Sequence, residues 1–208
     1  MNHLGPAPLV CLITPGHANP DNYQTESARI LDTVRSSVND GVSIVQIREK
    51  DLPARLLFEL VREAVLIASG SSTIVTVNDR ADIAAAAKAK GVHLPENGLS
   101  PRVMRSGFGQ LVVGSSVHSI EAATRAAEGG ADYVLFGPIF ETPGKGPSVG
   151  LDALTRVCEA VYGTPVIALG GIDEHNCEQA IGAGAAGIAA IRSLNDPASR
   201  QRILAALR

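Results

Sequence analysis

Eight short aliphatic runs punctuate this chain, near residues 9–14, 42–47, 73–77, 91–94, 111–115, 132–136, 165–169 and 186–191. Seven of them end in polar or glycine residues suited to chemistry. Gln46-Ile47 leads into Arg48-Glu49-Lys50, Val77 into Asn78-Asp79-Arg80, Val92 into His93, and Gly114 into Ser115-Ser116-Val117-His118. Phe136 leads to Gly137 and a loop carrying Lys145, Leu169 to Gly170-Gly171, and Ile191 to Arg192-Ser193. Continuous aliphatic runs, as opposed to alternating ones, mark parallel strands buried on both faces. If helices separate the runs, every cluster falls at one end of a single sheet, and in a closed α/β barrel that end is where active sites are built.

The intervening segments carry helical signals. Ile30, Val34 and Val38 share one face, and Asn39-Asp40-Gly41 ends that helix. Pro53 opens a second helix with Leu56, Leu57, Leu60 and Val61 on its apolar face, ending at Gly70. Ser100-Pro101, Ser119 and Asp173 suit helix starts, and Asn195-Asp196-Pro197 opens the last helix. Gly41, Gly91, Gly130 and Gly184 each stand immediately before or at the start of a strand, where a left-handed helix cap is expected. Strand and helix alternate eight times with no visible linker or second domain. The expected fold is an α/β single-domain (β/α)8 TIM barrel over residues 1–208. A dinucleotide-binding open sheet is disfavoured, because no Gly-x-Gly-x-x-Gly follows the first strand.

Composition removes several function classes. A net charge of −3 with interspersed acids and bases leaves no basic face for nucleic acid. Cys11, Cys158 and Cys177 are too scattered for a disulfide framework, and the first two read as small core residues. His3, His17 and His175 show no mutual metal spacing. No apolar stretch reaches the ~20 residues that span a bilayer, and no secretory leader is evident, so a cytoplasmic protein without membrane partners is expected. Pairing of two copies into a homodimer through the outer helices is a further expectation.

Among the clusters, Gly170-Gly171 and Arg192-Ser193 follow the seventh and eighth runs, the usual phosphate-binding place in such barrels. Glycines let phosphate oxygens approach backbone N–H groups closely. The same residues also suit a tight turn and a solvated arginine. Arg48 and Lys50 together can hold a diphosphate, one as a fork and one as a point charge, with Glu49 orienting the arginine. A solvated charge run is the plainer reading. Asn78 and Asp79 are oxygen ligands suited to Mg²⁺ alongside phosphates, or else a cap and a turn. His118, in polar company, is the natural acid/base of the set, whereas His93 between Val92 and Leu94 reads as a strand residue. Lys145 sits in a Gly/Pro-rich loop shaped like a lid over phosphate.

Six of these motifs occur in an order that resembles the thiamine phosphate synthase/TenI superfamily. They are Gln46–Lys50, Asn78-Asp79-Arg80, Gly91–Leu94, Gly114–Ser119, Ala131–Pro138 and Ala168–Ile172, and the resemblance runs from about Leu9 onward. It implies a TIM barrel and one of two activities. The synthase couples hydroxymethylpyrimidine diphosphate to thiazole phosphate, releasing diphosphate, with Mg²⁺ held by two aspartates. The TenI branch aromatises a carboxythiazole phosphate by histidine-mediated proton transfer without metal.

Where the synthase pattern places its second aspartate, this chain has Gly98. Leu94-Pro95, Ser100-Pro101 and the Ser116–Ser119 stretch resemble the TenI branch. The leading expectation is therefore a cofactor-free thiazole tautomerase, an isomerase, with His118, Arg48, Lys50 and Lys145 catalytic. Gly170, Gly171, Arg192 and Ser193 would bind the thiazole phosphate, and Gln46, Asn78, Ser116 and Gly137 would line the pocket. The alternative is the transferase, with Mg²⁺ on Asp79 and pyrimidine diphosphate as a second substrate. A silent binder of a thiamine intermediate and another phosphate-binding barrel isomerase are the more distant readings.

Overall fold

Strands β1 (Leu9–Ile13), β2 (Ile44–Ile47), β3 (Ile74–Asn78), β4 (Gly91–Leu94), β5 (Val112–Val117), β6 (Tyr133–Phe136), β7 (Val166–Leu169) and β8 (Gly187–Ala190) form one parallel sheet. In the computed structural model, which describes residues 4–144 and 146–208, β8 pairs back onto β1 and closes the sheet into a barrel. Helices α1 (Tyr23–Asp40), α2 (Ala54–Ala68), α3 (Ala81–Ala86), α4 (Pro101–Phe108), α5 (Ile120–Glu128), α6 (Gly150–Ala160) and α7 (Cys177–Gly182) fill the successive crossovers. A short α8 (Arg192–Asn195) and then α9 (Pro197–Ala206) follow β8. This is the (β/α)8 barrel that the alternation of runs implied.

Alternation along each strand divides the aliphatic residues between two cores. Val10, Leu12, Val45, Ile47, Val75, Val77, Val134 and Ile188 face the helices, where they meet Ile30, Val34, Leu60, Val61, Leu154 and Ile203. Leu9, Cys11, Ile13, Ile44, Ile74, Leu135, Ile167 and Ala189 fill the barrel interior with Tyr133. Each fully buried Val, Leu or Ile in these two cores contributes roughly 1.5–3 kcal/mol. Burial pushes the Cys11 thiol up to about 12 and that of half-buried Cys158 to about 11, as expected of packing residues and not nucleophiles.

The helix ends follow the sequence signals, with two corrections. Gly41, Gly130 and Gly184 adopt left-handed backbone at φ 82°, 88° and 99° before their strands. Gly91 does not: it is the first residue of β4, and Lys88 takes the left-handed turn at φ 60°. A Cβ on Gly91 would come within 2.7 Å of the Val112 carbonyl, so glycine is there for a close approach of strands. Ser100, Ser119 and Asp196 cap α4, α5 and α9, but Asp173 caps no helix, since α7 begins after Asn176. Arg200, only 1% exposed, donates to Asp40 Oδ2, Ser36 Oγ and the Leu194 carbonyl, joining α9 to α1.

Candidate functional site

All the strand-end clusters lie on one rim of the barrel, because parallel strands share a direction. Arg48 and Lys50 follow β2, Asn78 ends β3 with Asp79 next, and Gly170-Gly171 follow β7. In an eight-strand ring β3 and β7 stand four positions apart, so the Asp79 loop and the glycine pair face each other across the mouth.

On the β2–β3 side the charged groups are held by backbone ties. The Arg48 N–H donates to buried Thr14 Oγ1 at 2.8 Å, and its guanidinium Nη1 packs over Gly16, where a Cβ would stand 3.2 Å away. Glu49 does not orient Arg48, contrary to the sequence expectation. It is 2% exposed and accepts from the backbone N–H groups of Gly16 and Ala18 at 3.0 and 2.8 Å. A buried carboxylate needs donors, and two main-chain amides of the β1 loop supply them. Lys50 is exposed, Asn78 half-buried and Asp79 exposed. Asp79 holds a left-handed φ of 58°, uncommon for a residue with a Cβ, fixed by its N–H donating to the His93 carbonyl at 2.9 Å.

Inside the barrel below these groups sit Gln46, Thr76, His93 and Ser116. Gln46 is 1% exposed, and its Nε2 has no hydrogen-bond partner among the described residues, nor has the hydroxyl of Thr76. His93 uses both ring nitrogens: Nδ1 lies 3.3 Å from the Tyr133 hydroxyl and Nε2 2.9 Å from Ser116 Oγ. Burial, helped by the charge of Arg48, pushes His93 down to about 3, so its imidazole is neutral at physiological pH. His118 is exposed on the rim. Its Nδ1 bonds the Gly137 carbonyl, its backbone N–H donates to Glu96 Oε1 at 3.3 Å, and Nε2 stands 3.9 Å from Glu96 Oε2. Gly137 is buried, and a Cβ there would overlap the Leu169 carbonyl.

Across the mouth, Gly170 and Gly171 take positive φ of 101° and 64°. A Cβ on either would come within 2.6 Å of backbone, Pro138 Cα or the Glu141 carbonyl. Asn176 Nδ2 donates to the Gly171 carbonyl at 2.8 Å, and Ser193 Oγ donates to the Ile172 carbonyl at 2.7 Å. The Ser193 hydroxyl is thus occupied in joining the two loops. Arg192 is exposed. Glu174 anchors this loop to α9, accepting from Ser199 Oγ and Arg202 Nε at 2.8 and 2.7 Å. Lys145 and His3 lie outside the described residues.

The second carboxylate is absent where the motif comparison located it. A Cβ on Gly98 would stand 3.2 Å from Asp79 Oδ1, while Glu96 is turned to His118. No group of three or more His, Cys, Asp or Glu suited to a metal occurs among the described residues. The donors present fit a Mg²⁺ ion that takes one carboxylate from protein and the remaining ligands from a diphosphate and water, a common Mg²⁺ arrangement. They do not fit an all-protein metal cage.

A closed parallel barrel with glycine backbone on one side of its rim and cationic and carboxylate groups on the other belongs to the TIM-barrel enzymes. The chain is a member of the thiamine monophosphate synthase family, whose model matches residues 10–194. It is 40% identical to the thiamine-phosphate synthase of Methanoculleus marisnigri over 78% of this chain and 79% of that one. It is 38% identical to the thiamine-phosphate synthase of Thermus thermophilus over 86% and 87% of the two chains. A thiamine phosphate pyrophosphorylase structure from Pyrococcus furiosus superposes with a TM-score of 0.83 at 27% identity, covering 99% of this chain and 96% of that one.

These relatives overturn the isomerase expectation, since both curated proteins carry the name of the transferase. The expectation rested on Gly98 and on the Leu94-Pro95, Ser100-Pro101 and Ser116–Ser119 stretches, with Gly98 the departure that bears on chemistry. Its weakness is physical: when substrate phosphates provide most Mg²⁺ ligands, one protein carboxylate suffices, so losing the second does not remove the coupling chemistry. No helix among the described residues is long and apolar enough to cross a membrane.

Proposed function

We propose that this chain is a thiamine-phosphate synthase, joining hydroxymethylpyrimidine diphosphate to thiazole phosphate and releasing diphosphate. The observation that carries the reading is the division of the rim into two anion-compatible sides. Arg48, Lys50, Asn78 and Asp79 occupy one, and the constrained Gly170-Gly171 backbone occupies the other. Two phosphorylated substrates that must meet need two such sides.

In this mechanism the Gly170–Ile172 and Arg192-Ser193 backbone N–H groups hold the thiazole phosphate, where loops after the seventh and eighth strands suit an anion. Arg48 grips the diphosphate as a fork while Lys50, and from the sequence Lys145, add point charges. Asp79 would hold Mg²⁺, which when bound supplies charge neutralisation to the departing diphosphate. The thiazole nitrogen attacks the pyrimidine methylene carbon as the carbon–oxygen bond to diphosphate breaks, so positioned cations aimed at the leaving oxygens lower the barrier most. Gln46 supports the pyrimidine side: its buried amide N–H, unpartnered among the described residues, has a hydrogen-bond deficit that a heteroaromatic substrate would relieve.

The test is thiamine phosphate formation by purified protein given both substrates and Mg²⁺. Product is expected, with EDTA abolishing it and Asp79→Ala reducing kcat by about 10²–10³-fold. Absence of product, or full activity in EDTA, would defeat the proposal.

A further inference from the structure

Tyr133, His93 and Ser116 form a network that runs from the buried barrel interior to the half-buried Ser116. Tyr133 is completely buried, and its hydroxyl requires an acceptor. The one side-chain hydrogen bond that geometry gives the phenol among the described residues is to His93 Nδ1, at 3.3 Å, so Nδ1 is the acceptor available to Tyr133. The phenol does not ionise here, since burial raises it well above its ordinary range. A neutral imidazole has one N–H and one lone pair. With Nδ1 accepting, Nε2 carries the hydrogen and donates it to Ser116 Oγ at 2.9 Å.

The consequence falls on Ser116, the half-buried end of the chain of bonds. Its oxygen is taken as an acceptor, so its own hydrogen is free to point elsewhere. Gly114 holds the arrangement in register: a Cβ there would overlap the Tyr133 ring and stand 2.6 Å from His93 Nδ1. The two rings consequently stack with centroids 5.7 Å apart.

We infer that His93 is a positioning residue which, held as the Nε2–H tautomer by Tyr133, turns the Ser116 hydroxyl hydrogen toward a lone-pair acceptor of the bound substrate. The role of the acceptor rests on the synthase reading; the tautomer does not.

Two measurements test this. Long-range ¹H–¹⁵N correlation spectra of the free, ¹⁵N-labelled protein at neutral pH, with His93 assigned by its loss in His93→Gln, are expected to show Nε2–H. In steady-state kinetics His93→Leu is expected to lower kcat about tenfold with KM within about twofold, as for one misdirected hydrogen bond. His93→Gln, whose amide N–H replaces Nε2–H, is expected to recover most of that loss. In a Ser116→Ala background His93→Leu should change kcat less than twofold, because the hydroxyl it directs is gone. An Nδ1–H tautomer overturns the inference, as does a His93→Leu loss that persists without the Ser116 hydroxyl or that Gln fails to rescue. A wild-type protein that forms no thiamine phosphate overturns the functional reading instead, while the spectrum still decides the tautomer.

Discussion

The two walls of the barrel interior are built on opposite plans. From β6 through β8 to β1 the upper residues are Ile13, Leu135, Ile167, Leu169, Ala189 and Ile191, all apolar. From β2 to β5 they are Gln46, Thr76, Asn78, His93 and Ser116, all polar. On the proposed function, the apolar wall would leave recognition to main-chain amides at Gly170 and Gly171, which any phosphate satisfies. The polar wall presents side chains with particular donors, acceptors and charges, and on the proposed function it is where one substrate would be told from another. Backbone recognition demands only the right φ and an open approach. Side-chain recognition demands a supporting shell, and on the inference drawn above the His93–Tyr133 pair behind Ser116 would be that shell.

The sharpest way to break this contrast is Gly171→Ala. A Cβ there meets the Glu141 carbonyl at 2.6 Å on backbone with φ 64°, so the loop must shift. The KM for thiazole phosphate is expected to rise about 100-fold while that for the pyrimidine diphosphate stays within about threefold, as read from initial rates with each substrate varied in turn. Equal rises in both would show that the walls do not work separately.

Acid probes the polar wall. Because His93 falls from its ordinary 6.5 to about 3 in the folded barrel, the unfolded chain binds the extra proton between those values. Its contribution to stability is therefore complete above pH 6.5 and is lost as pH falls toward 3, by up to about 1.4 kcal/mol per pH unit. Urea unfolding midpoints measured down that range should drop, and His93→Gln should flatten the slope.

The smallest effect concerns the carboxylate beside Asp79. Gly98→Asp, whose Cβ would stand 3.2 Å from Asp79 Oδ1, should lower the Mg²⁺ concentration for half-maximal rate a few-fold. An unchanged Mg²⁺ dependence would mean that Asp79 is not the metal-facing group.

Much of this was legible from residue order. Aliphatic runs announced the strands, and the clusters following them announced the rim, because parallel connectivity puts all strand ends on one side. Ser100, Ser119 and Asp196 were readable as caps because capping is local. What stayed hidden was whatever depends on which loops meet. Glu49 read as part of a charged triplet, yet it is buried against Gly16 and Ala18, over 30 positions earlier. His93 read as an ordinary strand residue, and Ser116 as a pocket residue. Only closure of the barrel puts Tyr133 on one side of the ring and the serine on the other. Gly98 was singled out, but its weight was misjudged, since sequence alone does not say how many metal ligands a substrate brings.

The Glu49 carboxylate bears on how such a rim can be rebuilt. Its two acceptor bonds make the β1 and β2 loops one rigid part, with Arg48 mounted on it. An exchange of the β2 loop into another barrel would carry a buried anion without its donors, and an exchange of the β1 loop would strand that anion here. For anyone recombining these barrels, the module that can be moved intact is the pair.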